Sequence, residues 1–530
     1  MSVLSKRLDQ LRTAKNLAGL ADLTRGVEKE SLRVSSRATL SKAPHPQALG
    51  AALTHPHITT DFSEALLEFI TPPEKNVNNI ISKLDDLHTF TYQHIGDESL
   101  WVNSMPCTLN NDADIPIAQY GDSNSGRMKS IYRLGLGHRY GRSMQTIAGI
   151  HFNFSVSDDL WAFLHETDAS NLPLVSYKTD GYLKLIRNFR RNFWLLLYLF
   201  GAAPAVCSSF IKGREHTLKP VKPDDSRTLH TPYATSLRMG DLGYQSSAQE
   251  SLKPSYNNID DYIETLCDAI TQQHADYSAI GIKDQSGNYQ QLNDCLLQIE
   301  NEFYSVIRPK RTAKSGQTAL SALANGGIEY IEVRCLDLNP FENIGISKQQ
   351  IQFLDIFLLF CLLEDSPLSD ENENQNILQN QKRMVYEGRK PGLKLHDFDN
   401  ERSAAQWSQQ IMEKLQPIAE LIDTQNNSKD YQNALKAEQK KLDDSTLTPS
   451  AKIIEQLGHD NISFYHLAMG QSQENREYFK NRKLSASTAA DFTQIATESR
   501  VKQKDIEADT SMSFEKYLEN YYKQYICCTQ

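Results

Sequence analysis

The sequence predicts an α+β fold, with a mixed body over residues 1–365 and a mainly helical region over residues 366–530 packed on the same unit. Three observations predict it. Up to about residue 365, helical stretches are mixed with short runs that alternate apolar and polar residues and end in Pro, Gly or Asn. Beyond that point the chain is richer in Gln, Asn, Lys and Glu and places apolar residues three and four apart. No internal repeat of fixed period appears, so one compact unit is expected.

In chain order, the first strand signal is Arg25 to Val34 (RGVEKESLRV). Alternation puts Glu28, Glu30, Leu32 and Val34 on one face and Val27, Lys29, Ser31 and Arg33 on the other. Two carboxylates on one face repel unless a cation compensates, and a hard divalent metal suits oxygen ligands. A solvated edge strand is the plainer alternative. Thr59 to Pro73 (TTDFSEALLEFITPP) sets Glu68 between Leu66, Leu67, Phe69 and Ile70, where a carboxylate needs a partner or a metal. A helix presenting Asp61, Glu64 and Glu68 on one side, with Glu64 solvated, stays open.

Thr146 to Ser157 (TIAGIHFNFSVS) is a cleaner strand, with Ile150, Phe152 and Phe154 toward the core and His151, Asn153 and Ser155 opposite. A lone histidine of this kind is more often structural than a ligand. Gly327 to Pro340 (GIEYIEVRCLDLNP) repeats the pattern, with Ile331, Val333 and Cys335 inward and Tyr330, Glu332 and Arg334 on the other face. Glu332 and Arg334 suit a metal plus an anion, or else a surface ion pair. Between the strands lie NSGRMKSIYR, SLRMGDLGY and QIENEFYSVIRPKR, whose arginines, notably Arg308, Lys310 and Arg311, suggest an anionic ligand such as a phosphate or carboxylate.

Phe193 to Cys207 (FWLLLYLFGAAPAVC) is shorter than the roughly 20 residues of a membrane helix and contains Gly201 and Pro204, so a buried core helix is expected. Glu364 to Gln381 reads as a polar surface loop leading into helices, with an ordered surface element as the alternative, and Ser403 to Asp423 and Pro449 to Gln471 as amphipathic helices. With 56 basic and 66 acidic residues the net charge is −10, which argues against nucleic-acid or anionic-membrane binding. The N-terminal stretch has no secretory pattern, so a cytoplasmic location is expected. The eight cysteines show no metal-binding spacing, and reduced, mostly buried thiols are expected, with Cys527 and Cys528 in an exposed tail. Phosphate-loop, zinc-protease and serine-hydrolase motifs are absent, so any ATP site is built differently.

Taken in order, GVEKESLRV, TTDFSEALLEFITP, SMPC, NSGRMKSIYR, MQTIAGIHFNFS, PYATSLRMGDLGY, LQIENEFYSVIRPKR, GGIEYIEVRCLDLNPF and EGRKPGL closely resemble the proteobacterial glutamate–cysteine ligase family. The resemblance runs from about residue 20 to 395 and is weak beyond. It implies a glutamine synthetase/guanido kinase-like fold: a curved, mostly antiparallel sheet forming an active-site funnel with helices outside. It also implies ligation of the L-glutamate γ-carboxylate to the L-cysteine amine through γ-glutamyl phosphate, with ATP as co-substrate and Mg2+ or Mn2+ as cofactor.

By motif position, the resemblance makes Glu28, Glu30, Asp61, Glu68, His151 and Glu332 magnesium ligands or their neighbours. Arg238 and Arg334 match the arginines at the glutamate and transferred phosphate, and with Glu332 form the catalytic set. Tyr132, Tyr244 and Tyr304 match the tyrosines around the cysteine. Charge alone nominates Arg308, Lys310 and Arg311, with Arg389 and Lys390, for nucleotide contacts or their support. The family further implies a monomer inhibited by glutathione. A γ-glutamyl ligase using another amine, or a noncatalytic nucleotide- or amino-acid-binding relative, remains the alternative.

Overall fold

The computed structural model describes residues 2–14, 17–106, 108–109, 111–242, 249–314, 316–459 and 462–526. The strands in chain order are β1 (Leu23–Val34), β2 (Ile58–Thr60), β3 (Leu66–Ile70), β4 (Ser99–Leu100), β5 (Ile150–Val156), β6 (Ala205–Cys207), β7 (Lys219–Lys222), β8 (Asp225–His230), β9 (Ile307–Lys310), β10 (Tyr330–Leu336), β11 (Lys394–Asp397) and β12 (Asn400–Ser403). Seven of them build the main sheet in the order β2-β3-β1-β5-β10-β9, with β4 paired to β1, and every pairing is antiparallel. The expected mixture of helices and antiparallel sheet is therefore what the chain forms.

Alternation assigns the two faces of this sheet. Val27, Ile150, Phe152, Phe154, Ile331 and Val333 are fully buried on one side. That side is covered by the helices Leu174–Asn192 and Lys348–Leu363, the second of which is apolar and buried on nearly all sides. The opposite side carries Glu28, Glu30, Glu68, His151 and Glu332. Lys29, between the two acidic residues of β1, points to the core, where Nζ lies 2.7 Å from both Ser31 Oγ and His88 Nε2. Burial pulls its pKa down to about 7.

Three expectations are corrected. The polar stretch Glu364 to Gln381 is a loop only as far as Asp370, because the helix Glu371–Glu387 begins within it. Asp370 caps that helix by accepting from the Glu373 N–H at 2.8 Å, and its buried face includes polar residues. Asn380 donates to the His396 carbonyl and Gln381 to the Met239 carbonyl, so satisfied amides replace the apolar period that a helix normally shows. Phe193 to Cys207 is buried but divided into a short helix, Trp194–Phe200, and strand β6, since Gly201 and Pro204 end the helix. Among the cysteines, Cys267, Cys295, Cys335 and Cys361 are free and buried, whereas Cys207 is disulfide-bonded. Cys107, Cys527 and Cys528 lie outside the described residues.

After residue 366 the described chain is helical apart from the β11–β12 hairpin. The helices Ala404–Asn426 and Asp430–Asp443 pack on Lys348–Leu363, and Phe464–Asn481 packs on Val77–Tyr92. Among the described residues, no helix is long and apolar enough to cross a membrane.

Candidate active site

Cross-strand register gathers the acidic side chains. Glu30 is directly opposite Glu68 on β3, and Glu28 is opposite both Ile70 on β3 and His151 on β5. On the next strands, Glu332 is opposite Asn153 and Arg308. Directly opposed residues share a face, so five strands aim these groups into one cavity. Asp61, in the turn between β2 and β3, joins them at its wall. The cavity has a volume of about 270 Å³, close to the lower end of the roughly 300–1,000 Å³ of a small-molecule site.

The polar contacts are specific. His151 Nδ1 lies 3.3 Å from Glu28 Oε2 and 3.8 Å from Glu332 Oε1, while its Nε2 lies 3.8 Å from Glu30 Oε1. Asn153 donates to Glu28 at 2.8 Å. Glu332 also accepts from Arg334 at 3.1 Å and lies 3.5 Å from the Lys310 ammonium. It thus links the acidic floor to the cationic side. Burial favours the neutral form of Glu332, but Lys310, Arg334 and His151 outweigh it and hold the carboxyl well below its usual range. Glu28 is lowered too, its burial being outweighed by the His151 hydrogen bond. Glu30 and Glu68 move the other way. Burial raises both, reinforced for Glu30 by Asp61 and for Glu68 by Glu28 and Asp61.

This donor set fits a hard divalent cation. Ligand atoms of Glu28, Glu68 and His151 lie within 4.8 Å of one another. The Glu68 carboxylate faces the cavity and makes no hydrogen bond among the described residues. Glu30 and Glu68, raised by burial and by neighbouring carboxylates, would be favoured in their charged form by a bound Mg2+.

On the cationic side, Arg238 and Arg334 are coupled: an Arg238 N–H donates to the Arg334 carbonyl at 3.0 Å, and the Arg238 guanidinium lies 3.8 Å from Asp337. Asp337 is itself held by the Ser236 hydroxyl and the Ala202 N–H. Gly149 makes room for this arrangement. A Cβ there would collide with the Arg238 guanidinium, and the Gly149 N–H donates to Glu30 Oε2 at 2.7 Å. One backbone position thereby holds a member of each side.

The aromatic wall is made by Tyr132, from the helix Asn124–Tyr140, and Tyr304, which accepts from Gln145 at 2.9 Å. Ser123 caps that helix by accepting from the Gly126 N–H at 3.1 Å. Thus Glu28, Glu30, Asp61, Glu68, His151, Glu332, Arg238, Arg334, Tyr132, Tyr304, Arg308 and Lys310 all line one cavity. Arg311 stands apart, donating to the carbonyls of Gly326 and Gly327. Arg389 and Lys390 do likewise, on the carbonyls of Pro232 and Ala234 and on Glu387. These three basic groups support turns. Tyr244 lies outside the described residues.

Sequence reasoning missed Gln145, Asn301, Glu302 and Arg133, which also line the cavity. Glu302 is fully buried and accepts from Arg139 at 2.9 Å and from the Tyr140 hydroxyl at 2.7 Å. An acidic residue inside the apolar-flanked run NEFY was the available signal. Gln145 and Asn301 carried none, being neutral residues in short 3-10 turns.

An antiparallel sheet with an acidic, metal-capable face, closed by arginines and tyrosines, makes a pocket suited to anionic ligands and a divalent cation. Comparison with known proteins gives the family. The glutamate–cysteine ligase family model matches residues 8–384. The glutamate–cysteine ligase of Saccharophagus degradans is 52% identical, with 98% of each chain covered. That of Alcanivorax borkumensis is 49% identical over 98% of this chain and all of its own. A crystal structure of the Francisella tularensis glutamate–cysteine ligase in complex with AMP superimposes with a TM-score of 0.89, at 37% identity, covering 96% of this chain and 99% of that one. A bifunctional glutathione synthetase from Pasteurella multocida, 24% identical with a TM-score of 0.71 over 94% of this chain and 58% of its own, shares the fold. The chain belongs to the glutamate–cysteine ligase family.

Proposed function

We propose that the protein joins the γ-carboxylate of L-glutamate to the amine of L-cysteine with ATP as co-substrate, giving γ-glutamylcysteine, ADP and phosphate, the first step of glutathione biosynthesis. The observation that carries this reading is the single cavity in which acidic, guanidinium and phenol groups converge, in a chain of that family. The AMP in the Francisella ligase supports a nucleotide co-substrate here.

A carboxylate is a poor electrophile at neutral pH, and phosphorylation to γ-glutamyl phosphate gives the amine a leaving group to displace. Arg238 and Arg334, held against each other, bind and orient the anionic glutamate and stabilise charge on the transferring phosphoryl oxygens. Lys310 and Arg308 contribute positive charge on the nucleotide side, with Arg311 as support. Mg2+ or Mn2+ held by Glu28, Glu30, Asp61, Glu68, His151 and Glu332 would screen the phosphate charges. Tyr132 and Tyr304 form the acceptor pocket, whose rings with Phe62 keep water from the acyl phosphate.

We further assign residues 1–365 to the catalytic body and 366–530 to a helical region of the same functional unit, acting as a cytoplasmic monomer with glutathione as feedback inhibitor. The deciding experiment is ADP release from ATP, Mg2+ and glutamate with and without cysteine, with the product identified by mass. Cysteine-dependent ADP release with γ-glutamylcysteine supports the reading. ADP release only with another amine removes the acceptor assignment, and none from folded protein removes the activity.

A further inference from the structure

We propose that the C-terminal helix Phe514–Ile526 is a positioning element for the acceptor side of the cavity, acting through Tyr522 and Tyr525 on the segment Gln298–Tyr304. The inference rests on the acceptor role given above to Tyr132 and Tyr304.

The contacts run in one chain from helix to cavity. The Tyr522 hydroxyl donates to the Gln298 carbonyl at 2.9 Å and accepts from Asn293 at 3.2 Å. The Tyr525 hydroxyl donates to the Glu300 carboxylate, whose other oxygen accepts from the Ala319 N–H at 2.5 Å. Tyr525, Gln298, Glu300 and Glu302 are all buried, so these bonds are made away from competing water.

Gln298 and Glu302 then transmit the position inward. The Gln298 side chain donates to the Tyr132 carbonyl at 3.1 Å, and its N–H donates to Glu302 at 2.7 Å. Gly135, one turn beyond Tyr132, admits the Gln298 amide where any Cβ would collide with it. Glu302 fixes Arg139 and Tyr140 of the helix that bears Tyr132. On the outer side, Phe514 and Leu518 pack with Met128, Leu292 and Ile299, and Tyr132 packs against that cluster. Both walls of the acceptor pocket are therefore referred to one helix from the region with the weakest sequence signal.

A positioning role is separable from a structural one by which substrate feels the loss. In the full-length chain, Tyr522→Phe and Tyr525→Phe each remove one hydroxyl and no ring. The KM for cysteine is expected to rise about five- to tenfold, with the KM values for glutamate and ATP within about twofold and kcat nearly kept. Glu519→Ala, an exposed change on the same helix, is expected to leave all three unchanged. A cysteine KM within about twofold of wild type in folded Tyr522→Phe overturns the proposal, as does an equal rise for all three substrates. If Tyr525→Phe does not fold, Tyr522→Phe decides alone. Wild-type protein that forms no γ-glutamylcysteine removes the acceptor reading itself, a result distinct from normal wild-type turnover with unaffected variants.

Discussion

Glu30 and Glu68 face each other directly across β1 and β3, two carboxylates at one register position, and both are pushed toward the neutral form. Directly opposed like charges cost up to about 1 kcal/mol on a sheet. Glu68→Gln is therefore expected to stabilise the metal-free protein by about 1 kcal/mol while lowering turnover at saturating substrates by about 100-fold or more. Thermal melting without divalent ions, paired with steady-state kinetics, checks both; near-normal kinetics would remove the metal role of Glu68.

The same pair gives a signed pH effect. The Glu68 carboxyl is raised above its ordinary 4.5, chiefly by burial, so above that pH the native state holds a proton that the unfolded state has released. Its contribution to stability then falls as pH rises through the folded value. Because Glu28 and Glu332 shift oppositely, the quantity to measure is wild type minus Glu68→Gln. That difference in stability is expected to grow more negative with rising pH without metal and to shrink when Mg2+ is added. A flat difference curve would refute this account.

Glu332 stands where acid and base meet, 3.1 Å from Arg334 and 3.5 Å from Lys310. Replacing it with Gln leaves two cations short of their shared acceptor. We expect a loss of about 1–3 kcal/mol in stability, opposite in sign to Glu68→Gln, together with a fall in kcat of about 100-fold or more. Equal stability effects of the two glutamine variants would show that register neighbours do not set the charge balance.

Lys29 is a buried amine beside a serine and a histidine, with no carboxylate paired to it among the described residues. Burial lowers its pKa from 10.5 to about 7. Between those values the unfolded state binds the proton more strongly, so stability from this group rises with pH across the window and the penalty is complete below it. Lys29→Met is expected to be more stable than wild type near neutrality, with the advantage fading toward pH 10. Denaturant melts across that range test the sign.

Glutathione carries a γ-glutamyl group, and the feedback inhibition proposed above would place that group in the glutamate subsite. Its inhibition is expected to be relieved by raising glutamate and not by raising ATP. Inhibition constants measured at several glutamate concentrations decide; a constant value would place glutathione elsewhere.

The floor of the cavity was legible because period-2 alternation on β1, β5 and β10 assigns each acidic side chain to a face. That Glu68 lies on a strand rather than a helix was left open by its segment, and the register that sets it against Glu30 is a long-range fact no local pattern holds. The helix at Glu371–Glu387 was missed for a related reason: its buried amides satisfy carbonyls supplied by Met239 and His396, which only the folded chain brings near. Basic charge alone could not tell Arg308 and Lys310, which line the cavity, from Arg311, whose guanidinium closes a turn.

Gly149 carries no functional group, yet its backbone N–H holds Glu30 and its vacant Cβ position holds Arg238. One added methyl group would dislodge the anion-binding arm and strain the strand bearing the acids. A residue on which the cavity's geometry depends is thus chemically mute, and any ranking of positions by reactivity would overlook it.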